Sequence, residues 1–215
     1  MSLVRVRQHV NPLSEKYRQP APLPDWKTVY ADPARPLHLD IGCGRGLFLL
    51  DMAAALPDWN FLGLEIRQPL VEQASQWRDE AGATNLHFLY CSANSSLQPL
   101  LESLGDGVLQ RVSIQFPDPW FKRRHQKRRV VQPEMVAVIA QHLAIAGTVV
   151  LQSDVQGVAQ EMCDRFAAHP AFIRQNTALD CTDSPMPVQT EREKMTLEKG
   201  APVYRAIFSR ASESL

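Results

Sequence analysis

A proline-bracketed aspartate is joined directly to a basic run in the segment FPDPWFKRRHQKRR, residues 116–129. Pro117 and Pro119 each fix their own φ and restrict the residue before them, so the Asp118 carboxylate is held in one orientation. An aspartate held this way can position a substrate, and Trp120 beside it can stack on a planar ring. Because Pro-Asp-Pro turns are common in loops, the functional interpretation depends on the turn following a buried strand.

The basic run holds six Lys or Arg residues and one His within positions 122–129. The chain carries 23 basic and 23 acidic residues, so the rest of it has 17 basic residues against 23 acidic ones, a balance of −6. Such runs are usually solvated faces. Beside a candidate reaction centre, the same concentration of charge also suits the phosphates of a nucleic acid, which predicts an RNA partner despite the neutral total.

A glycine-rich turn, DIGCGRG at residues 40–46, separates a predicted strand from a predicted helix. Its glycines allow close approach of a ligand to the backbone and to the unpaired N–H groups of the helix. Glu65 ends the next predicted strand, 19 residues beyond Gly46, where a carboxylate can accept the hydroxyls of a ribose. The cofactor-binding residues predicted from this pattern are Asp40, Gly42, Gly44, Gly46 and Glu65.

Two features favour S-adenosylmethionine over NAD as the ligand of this turn. The Asp40 carboxylate can face an amino acid's ammonium group but would repel a pyrophosphate. The chain also lacks a second domain that could hold a dehydrogenase substrate. Asn94, which follows the third predicted strand, could bond the adenine edge, although an Asn there is often a turn or helix cap.

Other function classes find no support in the sequence. No apolar run approaches the roughly 18 residues that a membrane span needs, and the N-terminus has no apolar signal-peptide core, so we expect a cytoplasmic protein. The four cysteines, at positions 43, 91, 163 and 181, are far apart with no His at metal-ligand spacing. We therefore expect reduced thiols and no metal site.

Alternating apolar and helical patterns predict the elements that position these residues. Residues 1–36, rich in Pro, are predicted to form an extended or partly disordered arm, and residues 37–215 one domain. Strands are predicted at 37–42, 60–66, 86–92, 111–116, 147–154 and 204–210, with helical stretches between them, the one at 95–104 interrupted near Pro99. This order predicts an α/β fold with a parallel sheet, whose ligands bind beyond the carboxyl ends of the strands.

The chain resembles the bacterial tRNA (guanine-N7-)-methyltransferase family. The resemblance spans nearly the whole chain: RQHVNPL near the N-terminus, DIGCGRG, Glu65, PDPWFKRRHQKRR, Asp154 at the end of QSD, and TERE at 190–193. It implies a Rossmann-like class I methyltransferase with a mostly parallel seven-stranded sheet, helices on both faces and an antiparallel C-terminal strand. It further implies a monomer or homodimer that uses S-adenosylmethionine to methylate the guanosine at position 46 of the tRNA variable loop.

The resemblance also implies roles for individual residues. Asp40, Glu65, Asn94 and Asp118 would contact the cofactor, with Asp118 also the catalytic residue. Many members have Glu in place of Asp40 and Asp in place of Asn94. The implied substrate contacts are Lys122, Asp154, Thr190, Glu191, Arg192 and Glu193. The implied RNA-interacting residues are Arg124, His125, Gln126, Lys127, Arg128 and Arg129. Unaided by the resemblance, TERE is expected to be an exposed polar turn.

This methyl transfer requires few catalytic groups from the protein. Guanine N7 has a lone pair and no proton, so its attack on a sulfonium methyl group needs no general base, and catalysis should rest on positioning and electrostatics. Asp118 would hold the guanine and offset the positive charge that grows on the ring. Two alternatives remain open from the residues: an exocyclic-amine methyltransferase, and a non-catalytic RNA-binding protein with a degenerate methyltransferase fold.

Overall fold

The computed structural model describes Val4 and residues 10–176, 178–179 and 184–212. Cys181 and part of RQHVNPL lie outside the described residues. The strands are β1 (Leu37–Ile41), β2 (Asn60–Glu65), β3 (Leu86–Tyr90), β4 (Leu109–Gln115), β5 (Thr148–Ser153), β6 (Phe172–Arg174) and β7 (Tyr204–Arg210). They form one sheet in the order β3-β2-β1-β4-β5-β7-β6. Neighbours among β1 to β5 are parallel, whereas β7 is antiparallel to β5 and β6.

Helices cover both faces of this sheet. They are α1 (Trp26–Val29), α2 (Leu47–Ala55), α3 (Gln68–Glu80), α4 (Ala93–Glu102), α5 (Pro133–His142), α6 (Gln156–Ala167) and α7 (Glu191–Glu198). Apolar residues of α4, α5 and α6 share one buried cluster with Leu39 of β1. Those of α2 and α3 share a second cluster with Phe61 of β2. The predicted class I methyltransferase architecture is thereby confirmed.

The six strands predicted from the pattern lie within two residues of the observed ones. Three residues were too few to reveal β6 by their pattern. The predicted interruption of α4 is wrong, because the helix runs from 93 to 102 with Pro99 inside it. Burial of Leu97, Leu100 and Leu101 outweighs the one backbone bond that a proline cannot donate.

The expectation that TERE is an exposed polar turn is also wrong. Thr190 caps α7, its hydroxyl accepting from the N–H of Glu193 at 3.0 Å while the Glu193 carboxylate accepts from the N–H of Thr190. Thr-x-x-Glu is the sequence signature of this reciprocal cap.

The described part of the N-terminal segment packs against the domain. The Tyr30 hydroxyl, which is buried, donates to the carbonyl of Phe61 at 2.9 Å. The Trp26 indole N–H donates to the Ser103 hydroxyl at 2.9 Å, and Val10 and Pro12 line the crevice described below. Residues near the start of the chain therefore form part of the site's wall.

Candidate active site

The glycine turn brings backbone N–H groups to the carboxyl end of β2. Gly46 precedes α2 with a φ of 74°, and a Cβ there would lie 2.5 Å from the Phe88 ring and 2.9 Å from Ala74, so only glycine fits. The N–H of Gly44 donates to Oε2 of Glu65 at 3.0 Å. The glycine turn and Glu65 therefore lie next to each other, as the sequence pattern predicts.

Glu65 is buried and already holds several donors. Oε1 accepts from the backbone N–H and the Nε of Arg67, at 2.9 and 2.8 Å, and Oε2 accepts from Arg67 Nη2 at 3.1 Å. Burial lowers the pKa of Arg67, but the hydrogen bonds and charge of Glu65 and the charge of Asp118 outweigh it and leave that pKa raised. No local pattern around Glu65 predicts that a cation would lie on this candidate ribose carboxylate.

Asp40 lies almost fully buried, 3% exposed, on β1. Its Oδ1 accepts from the Ser113 hydroxyl at 2.6 Å and from Gln115 Nε2 at 3.3 Å. Burial raises the pKa of Asp40 to about 6, against the opposing effect of these two donors, and the charge of Glu65 raises it further. Ser113 in turn lies 2.8 Å from Nε2 of His38, and burial lowers the pKa of that imidazole to about 3, so it is neutral.

The FPDPW turn leaves β4 under backbone strain at both ends. Phe116 has a φ of 49° and Trp120 a φ of 43°, a left-handed conformation that costs non-glycine residues of order 1–3 kcal/mol and clusters at functional sites. The N–H of Phe116 still donates to the carbonyl of Gln152 at 2.8 Å, as a continuation of the β4–β5 pairing. Asp118 is therefore carried on a turn that the sheet anchors and that neighbouring packing must hold.

Asp118 lies where the two lobes of one crevice meet. The first lobe is lined by Val10, Ile41, Glu65, Asn94, Trp120 and Val130. The second is lined by Asp40, Gly44, Phe121, Asp154, Thr190 and Arg192. Asp118 lines both. The two lobes thus collect most of the predicted cofactor and substrate residues around one carboxylate.

The basic run folds back onto the turn that precedes it. Residues Arg123–Arg128 form a 3-10 helix. The Arg128 guanidinium lies 5.0 Å from the centre of the Trp120 ring, and His125 meets the same ring edge-on at 5.8 Å. Arg129 pairs with Glu161 and donates from Nε to the carbonyl of Pro119 at 2.8 Å.

Exposure divides the basic run into two groups. Lys122, Arg123, Arg124 and Lys127 are exposed, whereas Arg128 and Arg129 are half-buried. Loss of hydration and the neighbouring charges of Arg128, Arg124 and Lys122 lower the pKa of His125. Gln126 is half-buried with His125 in the middle of the run.

The remaining predicted substrate residues mostly bond to one another. Arg192 donates to Oδ2 of Asp154 from Nε at 2.9 Å and also from Nη2. Glu193 is 1% exposed, and its Oε1 accepts from Arg205 Nη2 at 2.6 Å. Glu191 is exposed at the first turn of α7. The Glu193 carboxylate thus faces the protein interior, while Asp154, Thr190, Glu191 and Arg192 line the second lobe.

Sequence reasoning missed several residues that shape the crevice: His38, Arg67, Ser113, Gln115, Phe121, Gln152 and Arg205. One signal was available for three of them. Ser113, Gln115 and Gln152 are polar residues in central strands of the predicted sheet, whose faces are both covered, and buried polar side chains need partners.

The three described cysteines carry free thiols. Burial raises the pKa of Cys91 to about 12, and burial also raises the pKa values of Cys43 and Cys163. Protonated thiols are poor nucleophiles. Within the described residues there is no group of three or more His, Cys, Asp or Glu that could hold a metal ion. No helix in that part of the chain is long and apolar enough to cross a membrane.

Comparisons with known proteins agree with this geometry. Residues 34–206 match the family described as "Putative methyltransferase". The tRNA (guanine-N(7)-)-methyltransferase of Nostoc sp. is 62% identical over 212 residues, covering 99% of this chain and 97% of the relative. That of Trichormus variabilis is 61% identical over 212 residues, covering 99% of each.

Solved structures of low identity share the fold. A precorrin-6y C5,15-methyltransferase from Geobacter metallireducens superposes with a TM-score of 0.54 at 15% identity, covering 82% of this chain and 80% of the other. A methyltransferase from Pyrococcus furiosus gives 0.53 at 14% identity, covering 83% and 78%. With the near full-length relatives, these findings show that the chain belongs to the tRNA (guanine-N(7)-)-methyltransferase family.

Proposed function

We propose that the chain transfers the methyl group of S-adenosylmethionine to N7 of the guanosine at position 46 in the tRNA variable loop. The observation that carries this proposal is the place of Asp118, which lines both the lobe that holds Glu65 and Asn94 and the lobe that holds Asp40, Asp154 and Arg192. The names of the close relatives support the same substrate and the same ring nitrogen.

The crevice fits S-adenosylmethionine in its chemistry. Asp40 supplies a carboxylate for the ammonium group, and Glu65 an acceptor for the ribose hydroxyls. Gly42 and Gly44 leave the backbone open to a ligand, since a Cβ at either position would meet nothing within 4 Å. Asn94, in the first turn of α4 and on the wall of the first lobe, can bond the adenine edge. When bound, the cofactor supplies a methyl group on a positively charged sulfur.

Asp118 performs the electrostatic part of the reaction. It would hold the guanine through the N–H groups of its Watson–Crick edge, with N7 free to take the methyl group. As the S–CH3 bond breaks and the N7–CH3 bond forms, the positive charge would pass from the sulfur to the purine ring, where the Asp118 carboxylate would offset it. No proton leaves N7, so the site needs no general base.

Phe121 is the side chain placed to stack on the guanine. Trp120 lines the first lobe and is already covered by Arg128 and His125. Phe121 lines the second lobe and is 73% exposed. The left-handed φ of Trp120 turns these consecutive aromatic rings towards different lobes. A base that leaves its stack is commonly held against an aromatic face, and Phe121 offers that face beside Asp118.

The exposed cations at 122–124 and at 127 grip the RNA backbone. They follow the reaction centre directly, and phosphates neutralise such a segment with release of counterions. Asp154 and Thr190 to Arg192, which line the second lobe, contact the substrate there. Glu193 acts from the interior by capping the helix that presents them.

Methyl transfer to unmodified tRNA transcripts with and without a guanosine at position 46 tests the proposal. We expect 7-methylguanosine, identified by nuclease digestion and mass spectrometry, only in the transcript with the guanosine. A methylated exocyclic amine would instead establish the other chemistry. Absence of any S-adenosylhomocysteine binding by calorimetry would favour a non-catalytic RNA-binding protein.

A further inference from the structure

A row of polar side chains crosses the sheet behind the crevice. Gln115 of β4 pairs in register with Gln152 of β5, and Gln152 pairs with Arg205 of β7. Asp40 of β1 is opposite Ser113, two residues before Gln115. Side chains two residues apart lie on the same face of a strand. Four neighbouring strands therefore carry a continuous polar row on the face that α2 and α3 cover.

Hydrogen bonds join this row from end to end. Arg205 Nε donates to Gln152 Oε1 at 3.2 Å, Gln152 Nε2 donates to Gln115 Oε1 at 2.7 Å, and Gln115 Nε2 donates to Asp40 Oδ1 at 3.3 Å. Gln152 and Arg205 are each 1% exposed. Each of these three hydrogen bonds runs, from donor to acceptor, in the direction from Arg205 to Asp40.

The chemistry of the two ends fixes that direction. A guanidinium has no acceptor, so Gln152 must present its carbonyl oxygen to Arg205 and its NH2 group to Gln115. Gln115 must then turn its own oxygen towards Gln152, which leaves its NH2 group for the carboxylate of Asp40. A flipped Gln115 would place two NH2 groups together at Gln152 and two oxygens together at Asp40.

Glu193 closes the far end of the row. Its Oε1 accepts from Arg205 Nη2 at 2.6 Å, and its Oε2 accepts from Gln152 Nε2 at 3.2 Å. Because Arg205 and Glu193 are both 1% exposed, each charge depends on the other for compensation. The N-terminus of α7 is thereby fastened to the same row that reaches Asp40.

We propose that Gln115, Gln152 and Arg205 are positioning residues, a directed hydrogen-bond relay that orients the Asp40 carboxylate for the ammonium group of the cofactor. The inference rests on the proposed function, since it assumes that S-adenosylmethionine binds with its amino acid part at Asp40. Gln152 and Arg205 act only through Gln115, which alone among the three bonds Asp40. The relay also connects the Asp40 carboxylate to α7, the helix that presents the substrate residues.

Two ligands separate positioning from general support of the fold. S-adenosylhomocysteine carries the ammonium group, whereas 5′-methylthioadenosine has the same adenosyl part without any amino acid. We expect Gln152→Met to weaken S-adenosylhomocysteine binding about tenfold, because Gln115 without its partner no longer holds its hydrogen bond to the charged Asp40 in place. Binding of methylthioadenosine should stay within about twofold of wild type. Equal weakening of both ligands, or unchanged S-adenosylhomocysteine binding, would overturn the relay.

Further variants test the relay if Gln152→Met folds poorly. Gln115→Met, at a half-buried position, removes the last link directly and should show the same ligand split. The double variant should be little weaker than Gln115→Met, because both substitutions break one path. Additive losses would contradict the relay. Asn60→Leu is the matched control, as Asn60 is buried at the start of β2 and bonds the carbonyl of Asp32, far from the crevice. If wild type binds neither ligand, the proposed function itself fails.

Discussion

The guanidinium of Arg67 lies on the carboxylate of Glu65, with Nε 2.8 Å from Oε1 and Nη2 3.1 Å from Oε2. The backbone N–H groups of Gly44 and Arg67 take two further acceptor positions. A carboxylate offers about four lone-pair sites, and these four donors occupy them. A ribose that binds Glu65 must therefore displace part of Arg67.

Replacing Arg67 should have opposite effects on the free and ligand-bound protein. Arg67→Met leaves the buried Glu65 carboxylate without its cation, so we expect a lower melting temperature in the absence of ligand. It also removes the donors with which a ribose competes, so S-adenosylhomocysteine should bind several-fold more tightly. Thermal shift and calorimetry measure the two effects. Weaker ligand binding by this variant would show that Arg67 contacts the cofactor instead of competing with it.

Asp118→Ala should abolish most of the turnover while the cofactor still binds. Loss of a preorganised electrostatic group costs about 10²- to 10³-fold in kcat, and Asp40 and Glu65 remain to hold S-adenosylmethionine. Single-turnover methylation and calorimetry with S-adenosylhomocysteine measure the two quantities separately. Asp106→Ala, in an exposed loop away from the crevice, is the control. Near-normal single-turnover rates for Asp118→Ala would refute the catalytic role.

Phe121→Ala should raise KM for tRNA more than it affects cofactor binding. Stacking of a base on an aromatic ring contributes about 1–3 kcal/mol, so we expect an increase of about tenfold, with Phe121→Trp restoring most of the affinity. Ile173→Ala is a matched control, since Ile173 is a 55% exposed apolar residue on β6. An unchanged KM would return the stacking role to Trp120.

The exposed and half-buried cations of the basic run should differ in their effect on the salt dependence of tRNA binding. Lys127→Ala removes an exposed charge, so the slope of log K against log salt for tRNA should become shallower by roughly 0.7–0.9. Arg129→Met should leave the slope unchanged and lower kcat, because Arg129 holds the carbonyl of Pro119 and the carboxylate of Glu161. A shallower slope for Arg129→Met would place that residue on the RNA instead.

Local patterns in the sequence predicted the parts of this site that are built locally. Asp40, Glu65 and Asp118 could be located from the strand ends and the glycine spacing, because each lies in or shortly after a strand that the local pattern predicts. The relay could not be predicted in this way. Gln152 and Arg205 are 53 residues apart, and their contact depends on which strands become neighbours. The left-handed conformations of Phe116 and Trp120 were equally hidden, since nothing in their residue types announces a positive φ.

Cofactor binding should depend on the ionisation of Asp40. Burial raises the pKa of this carboxyl from 3.8 to about 6, and the charge of Glu65 adds to the increase, while Ser113 and Gln115 act against it. An ammonium group pairs with the ionised form only. The affinity for S-adenosylhomocysteine should therefore fall as pH drops through about 6, measured by calorimetry, and binding of methylthioadenosine should not show this step.

The same carboxylate should lower the stability of the free protein at neutral pH. Because the pKa of Asp40 is higher in the folded state than in the unfolded chain, the folded protein binds a proton there more tightly. The stability that this proton adds is fully present below about pH 3.8 and is lost as pH rises through about 6. Asp40→Asn removes the buried charge, so we expect it to raise the free energy of unfolding at pH 8 by about 1–3 kcal/mol, with a smaller gain at pH 5. Urea unfolding at both pH values measures this difference. The variant should also lose cofactor affinity at pH 8. An uncharged side chain at position 40 favours stability, whereas an ionised carboxylate is needed to bind the ammonium group. A variant that was less stable than wild type at pH 8 would show that the hydrogen bonds to Asp40 outweigh the cost of burying its charge.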